Sequence, residues 1–205
     1  MSKHQRIYLA SQSPRRRELL KQIGIHYDML LLRSDPRRKV SVDETPHEGE
    51  LPPDYVQRIC RDKARAGWET LILRNLPLLP VLAADTTVTL DGKIIGKPDD
   101  KEHAAEILRM LSGTQHQVLT AVAMAFGERL EMRLSATTIV FDTLNEERIR
   151  RYLLTGEAHD KAGAYGIQGH AGAFVKRIEG SYTGVMGLPL FETVELLKLF
   201  GYPAP

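Results

Sequence analysis

The chain has almost nothing to crosslink itself with. Cys60 is the single cysteine among 205 residues, so no internal disulfide can form and a reducing compartment is expected. Charge of either sign is not in excess. Lys and Arg number 28 against 26 Asp and Glu, a net charge of +2, which argues against wholesale binding of nucleic acid and leaves any basic character local. There is no apolar run long enough to span a membrane. The stretch 71–84 comes nearest, but Arg74, Asn75, Pro77 and Pro80 interrupt it. A secretory signal is not expected either, because residues 1–6 are polar and the apolar run after them is too short. Internal repeats and low-complexity tracts are absent. A cytoplasmic protein with no membrane association is expected, and 205 residues suffice for one large domain or two closely joined lobes.

The most informative stretch that is present runs from Tyr8 to Arg17. Residues 7–10 read as a short strand, which turns through Ser11 and Ser13 into a helix. Ser13 suits an N-cap and Pro14 the first helical position. Leu19, Leu20 and Ile23 give the helix its apolar side, and Gly24 ends it. A helix N-terminus favours acids in its first turn, yet here that turn holds Arg15, Arg16 and Arg17. Free backbone N–H groups, two hydroxyls and clustered guanidinium groups suit a polyanion such as a phosphate chain. The plainer alternative is three solvated arginines on a surface helix.

Further along, residues 27–32 read as a second strand and residues 33–53 as a long loop rich in proline and charge, including Asp43 and Glu44. Residues 53–67 read as a helix whose stripe of Val56, Ile59 and Cys60 is continued by Lys63. That lysine either snorkels past the apolar face, the commoner case, or points into a cleft at its edge. The clearest strand is 81–90, followed by the hairpin turn Asp91-Gly92 and a return strand over 93–98. A simple turn pairs Leu90 with Lys93, Val88 with Ile95 and Thr86 with Lys97, bringing Lys97 beside Asp85. An acid inside an apolar strand needs a lysine or a metal as partner, in a site or in a structural ion pair.

Residues 99–102 look like a capping box opening a helix to Leu111, and Thr143 with Glu146 repeats the pattern before a second helix. Between them, 117–126 and 129–141 read as two strands. The glycine-rich stretch 160–169 lets backbone approach a ligand, and its Gln168 carries an amide able to read a base edge; the alternative is a mobile turn. A hairpin of 173–179 with 181–186 and a helix from Pro189 to Phe200 complete the reading. The mixture is α/β or α+β with a mixed sheet.

Several of these stretches together resemble the Maf proteins in order and spacing, over nearly the whole chain. They are residues 9–16, Asp43-Glu44, Lys63-Ala64-Arg65-Ala66, Ala84-Asp85-Thr86, Gly96-Lys97-Pro98, residues 160–169 and Gly187-Leu188-Pro189-Leu190. The resemblance implies an α/β fold with a mixed, elongated central sheet, flanking helices and two lobes around a nucleotide cleft, similar to inosine triphosphate pyrophosphatases. It implies one such domain over residues 1–205, and conversion of a nucleoside triphosphate to the monophosphate and pyrophosphate with a divalent cation, Mg²⁺ or Mn²⁺. Asp85 matches the family's catalytic proton acceptor, and Glu44 another acid of the site that would hold metal with it. Ser11, Arg15, Arg16, Lys63 and Lys97 match phosphate-handling positions. Arg15, Thr86 and Gln168 match positions tied to base selectivity. The Ala-Asp-Thr and Tyr-Gly-Ile-Gln-Gly patterns are similar to the branch acting on dTTP and UTP and differ from the branch acting on 7-methyl-GTP. The segment 33–39 is longer and more basic than the family pattern.

Two other classes are compatible with parts of the sequence. A non-catalytic nucleotide-binding regulator of cell division would use the same pocket, and only turnover separates it from an enzyme. A nucleic-acid module built on residues 15–17 and 37–39 would show strongly salt-dependent binding, against which the small net charge and aromatic-poor loops argue. The expected partner is thus a nucleoside triphosphate and not nucleic acid. A homodimer is left open, since oligomeric state is not legible in the sequence.

Overall fold

The computed structural model describes residues 6–32 and 42–203, so the basic segment 33–39 lies outside the described residues. The chain runs β1 (Ile7–Leu9), α1 (Pro14–Gln22), β2 (Tyr27–Met29), α2 (Pro52–Leu73), β3 (Val81–Leu90) and β4 (Lys93–Ile95). Then come α3 (Lys101–Leu111), β5 (Gln115–Phe126), β6 (Arg129–Phe141), α4 (Glu146–Leu154), β7 (Val175–Glu179), α5 (Tyr182–Val185) and α6 (Leu190–Leu199). The seven strands form one sheet in the order β2-β1-β3-β5-β6-β7, with β4 also paired to β3. β1 pairs in parallel with β2 and β3, and the other pairings are antiparallel, so the sheet is mixed as expected.

The edge of β3 explains where a cleft can open. On one side β3 pairs continuously with β5 from Val81 to Thr89. On the other it meets β1 only at Val81 and Leu82, then β4 from Val88 to Leu90. Among the described residues no strand pairs with 83–87 along that edge, and Asp85 stands in the middle of the gap. Successive strand residues face opposite sides of a sheet. Ala83, on Asp85's face, belongs to the apolar cluster with Val56, Cys60 and Ala64 of α2. Leu82 and Ala84, on Thr86's face, pack with Leu19 of α1 and Leu196 of α6. A third cluster, with Val88, Leu108, Phe141 and Tyr165, fills the far end of the sheet. Two packed lobes thus meet at the gap.

Local chemistry departs from the sequence reading in several places. The hairpin turn forms as expected, with Asp91 and Gly92 at φ 51° and 74°. Pairing stops at Ile95, because the Gly96 carbonyl accepts from the Gly163 N–H at 3.1 Å instead. Lys97 is therefore not paired with Thr86. β2 is shorter than expected and α2 longer. Gly67 does not end α2 but lets it lie against the sheet, since a Cβ there would come within 2.6 Å of Val81 Cγ1. The caps of α3 and α4 are Asp100 and Asn145, accepting from His103 and Arg148 N–H at 2.8 and 2.9 Å, rather than Asp99 and Thr143. Residues 181–186 do not return as a strand. Ser181 Oγ accepts the Gly184 N–H at 3.0 Å and caps the short α5.

One buried group gives a stability prediction. His116 of β5 is 2% exposed, its Nε2 is hydrogen-bonded to the Tyr165 hydroxyl at 2.8 Å, and burial pushes its pKa down to about 4. An unfolded histidine takes up its proton near pH 6.5. Between those values the unfolded chain binds the proton and the native one does not. Stability is thus complete above pH 6.5 and is lost as pH falls toward 4. The unaltered protein should lose about 3 kcal/mol more than His116→Gln between pH 7 and 4, measured by urea denaturation. Equal losses in the two proteins would show that His116 titrates normally in the fold.

Candidate active site

Five segments converge on the gap in β3. The first is the N-terminus of α1. Ser13 holds the N-cap position but its hydroxyl caps nothing; its own N–H donates to Ser11 Oγ at 3.2 Å. No acid occupies the first turn. The positive end of the helix is left without a side-chain counterweight, which suits an anion. Of the three arginines, Arg15 and Arg16 line the cleft, whereas Arg17 turns to β2, its Nη1 3.6 Å from Met29 Sδ.

Arg16 is held from three sides. Its Nε donates to the Gly187 carbonyl at 2.7 Å, Nη1 to Ser11 Oγ at 3.3 Å and Nη2 to Thr86 Oγ1 at 3.2 Å. Gly187 can present that carbonyl because it adopts φ 106°, a backbone region that side chains disfavour. A guanidinium has five N–H donors, so two remain for a ligand. Desolvation lowers the pKa of Arg16 and the nearby Asp85 charge opposes the shift; Arg15 is lowered by desolvation alone. A cation kept partly dry responds strongly to an arriving anion.

The second segment is α2. Lys63 does not snorkel. Its Nζ lies 2.7 Å from Asp85 Oδ1 and 2.6 Å from Glu44 Oε1, so one lysine bridges two acids. The partner the strand acid required is therefore Lys63, not Lys97. Asp85 and Lys63 side chains are 12% and 18% exposed, while Glu44 is half exposed at 49%. Burial pushes the Glu44 carboxyl up, but the hydrogen bond and charge of Lys63 together with the charges of Lys97 and Arg16 outweigh it, and the net shift is downward.

The third segment, the loop carrying Glu44, is gripped by α2. The Tyr55 hydroxyl donates to the Glu44 carbonyl at 2.9 Å. Arg58 donates to the carbonyls on either side, Asp43 at 3.2 Å and Thr45 at 3.0 Å, and forks onto Glu50 at 2.6 and 2.7 Å. Sequence reasoning missed both residues. The available signal was their three-residue spacing, one helical turn apart, opposite a loop that had to be fixed.

The fourth and fifth segments are the residues after β4 and the glycine-rich loop. Exposed Lys97 and exposed Gln168 stand on the rim of a cavity of about 640 Å³ whose walls include Arg15, Asp85, Thr86 and Tyr165. Lys161 joins them. Burial, then the neighbouring Arg15 charge, lowers its pKa. A second cavity of about 760 Å³, which shares Arg15, Arg16, Glu44, Lys63 and Lys97 with the first, reaches back to Ser11. Every sequence-identified position, Ser11, Arg15, Arg16, Glu44, Lys63, Asp85, Thr86, Lys97 and Gln168, thus lines one or both of these cavities.

Among the described residues no three His, Cys, Asp or Glu side chains gather into a metal cage. Glu44 and Asp85 each commit one oxygen to Lys63, and their second oxygens are of the kind that a hard cation such as Mg²⁺ takes together with phosphate and water. Cations on one wall and a lysine-bridged acid pair on the other are the complement of a polyphosphate with a divalent ion.

A family model described as Maf-like protein matches residues 6–200. The chain belongs to the Maf-like protein family. It is 57% identical over 195 residues to a dTTP/UTP pyrophosphatase of Nitrosomonas europaea, covering 95% of this chain and 94% of that protein. It is 56% identical over 199 residues to the dTTP/UTP pyrophosphatase of Aromatoleum aromaticum, covering 97% of each. It is 50% identical over 200 residues to that of Chromobacterium violaceum, covering 98% and 97%. Among solved structures, the Staphylococcus aureus Ham1 protein overlaps loosely, with a TM-score of 0.44 at 18% identity over 67% of this chain and 71% of that one. Among the described residues of this Maf-like chain, no helix is long and apolar enough to cross a membrane.

Proposed function

We propose that this Maf-like chain is a nucleoside triphosphate pyrophosphatase that hydrolyses dTTP and UTP to the monophosphate and pyrophosphate. The observation that carries the reading is the opposition of the Arg16 guanidinium to the Lys63-bridged Asp85 and Glu44 across one cleft. The relatives named dTTP/UTP pyrophosphatase support it over nearly the full length. The site draws on residues from Ser11 to Gly187, so the chain works as one catalytic unit.

In this reading the triphosphate lies against the α1 N-terminus, with the two unused N–H groups of Arg16 and the charges of Arg15, Lys63 and Lys97 on its oxygens. Asp85 accepts a proton from the water that attacks the α-phosphorus. The bond from that phosphorus to the bridging oxygen breaks, and the pair of electrons leaves with pyrophosphate. Lys63 Nζ, 2.7 Å from Asp85 Oδ1, holds that carboxylate in place, and Glu44 completes the acidic wall. Glu44 and Asp85 would hold Mg²⁺ or Mn²⁺ through the carboxylate oxygens that Lys63 leaves free, and the ion would further neutralise the phosphate charge. The base extends toward the glycine-rich loop, where the Gln168 amide offers a donor and an acceptor to the carbonyl and N–H of a uracil-type edge. A site built for such groups rejects a base that leaves its own polar atoms unpaired.

The test is product analysis on a panel of dTTP, UTP, CTP, GTP and 7-methyl-GTP with and without Mg²⁺ or Mn²⁺. Pyrophosphate is expected as the first product, with dTTP and UTP preferred. Gln168→Glu, which trades the amide donor for an acceptor, should lower kcat/KM for dTTP and UTP by about 10-fold relative to the other nucleotides. Orthophosphate as the sole initial product sinks the reaction type. A preference for 7-methyl-GTP, or unaltered selectivity in Gln168→Glu, sinks the base assignment.

A further inference from the structure

Thr86 and Thr120 face each other across β3 and β5, as directly paired residues in the antiparallel register. Their hydroxyl oxygens are 3.0 Å apart. Thr120 is fully buried and does not border the cleft; its hydroxyl donates to the Gly184 carbonyl at 2.8 Å. A threonine hydroxyl has one proton. Thr120 has given its proton to a carbonyl, which can only accept. The Thr86–Thr120 bond must then be donated by Thr86. The Thr86 proton is directed into the sheet, and its oxygen faces Arg16 Nη2 purely as an acceptor. The resulting chain has one direction: Arg16 to Thr86 to Thr120 to Gly184.

The same Gly184 carbonyl also accepts the Gly187 N–H at 2.9 Å, closing the turn that presents the Gly187 carbonyl to Arg16 Nε. Two of the three supports of the guanidinium, Thr86 on Nη2 and Gly187 on Nε, thus meet at the hydroxyl of Thr120. We propose that Thr120 is a positioning residue that orders the Thr86 hydroxyl and the turn 184–187 around Arg16, and so sets how Arg16 grips the triphosphate. Thr86 then has no proton to offer a ligand, and it acts on substrate through Arg16. This inference rests on the pyrophosphatase reading above. Cross-strand threonine pairs are ordinarily a modest sheet contact worth a fraction of a kcal/mol. Here the pair sits under an arginine whose aim decides the reaction, and a displacement of about 1 Å in a positioning group can cost 100-fold in rate.

The experiment compares Thr120→Val and Thr120→Ser with the unaltered chain, measuring pyrophosphate release from dTTP well below the melting temperature. Valine keeps the shape and loses the hydroxyl; serine keeps the hydroxyl. Thr120→Val should lower kcat/KM about 30-fold, and Thr120→Ser should stay within about 3-fold of the unaltered chain. In an Arg16→Met background, Thr120→Val should cost nothing further, because its effect passes through the missing guanidinium. Thr86→Val breaks the chain one link nearer Arg16 and should reproduce the loss, which keeps the inference testable if Thr120→Val folds poorly. Wild-type kcat/KM in Thr120→Val, or in Thr86→Val, overturns it. So does a full additional loss in the Arg16→Met background, which would place Thr120's role elsewhere. A failure of the unaltered chain to release pyrophosphate overturns the parent reading and is seen before any variant is compared.

Discussion

Asp85→Asn is expected to cut kcat for dTTP by roughly 10³-fold while leaving the melting temperature within a few degrees. The change keeps the shape of the side chain and removes the charge that accepts a proton and would hold a cation. The fold should tolerate it because of Lys63. Breaking a buried ion pair is costly when it strands an unpaired charge. Lys63 is not stranded, since Glu44 Oε1 stays 2.6 Å away. Steady-state kinetics at saturating Mg²⁺, with a thermal melt of the same preparation, make the check. If turnover persists near the unaltered rate, the Asp85–Lys63 contact is a structural ion pair and the base lies elsewhere.

Replacing the bridging lysine should have the next largest effect. Lys63→Met leaves a chain of similar length and removes the cation shared by two acids. On Glu44, burial acts upward, and Lys63 acts downward with help from Lys97 and Arg16. Without Lys63 the carboxyl of Glu44 rises, and at any pH where it stays charged it repels Asp85. The variant should lose about 100-fold in kcat/KM near pH 7. The acid limb of its pH profile should move to higher pH. In the unaltered protein the ionised form of Glu44 is favoured at lower pH than in a free carboxyl, and removing Lys63, the first of the groups that lower it, moves its ionisation to higher pH. Lys63→Arg should restore the charge and part of the rate, because the guanidinium cannot reach both oxygens with the same geometry. A kcat/KM profile from pH 5.5 to 9 with an unmoved acid limb would show that Lys63 contributes only to packing.

Residues that line the candidate site were in good part legible in the chain itself, because they broke local rules. Arginines stand where a helix N-terminus favours acids, an aspartate interrupts an apolar strand, and a lysine continues an apolar helical stripe. Such violations are local in sequence, so they can be read without coordinates. The long strands and the Asp91-Gly92 turn were legible for the same reason, as period-two patterning and positive-φ chemistry act between neighbours. The segment 181–186 was misread because its apolar residues are too few to fix a period, and the Ser181 cap decided it.

Partner choice was decided only by the tertiary structure. Two lysines were available to Asp85, and the hairpin register alone favoured Lys97. The path of α2 across the sheet brought Lys63 instead, while the Gly163 N–H took the Gly96 carbonyl and ended β4 before Lys97 could pair. Arg58, Tyr55 and Thr120 were missed for a related reason: each hydrogen-bonds groups distant in the chain, among them backbone carbonyls that every sequence has. The sequence by itself determined which charges and hydroxyls the site would contain, since residue type sets what a side chain can donate, accept or ionise. Only the folded chain decided which of them touch, because that depends on the crossing of α2 over β3 and on the gap at 83–87, where the sheet edge is left open to a ligand.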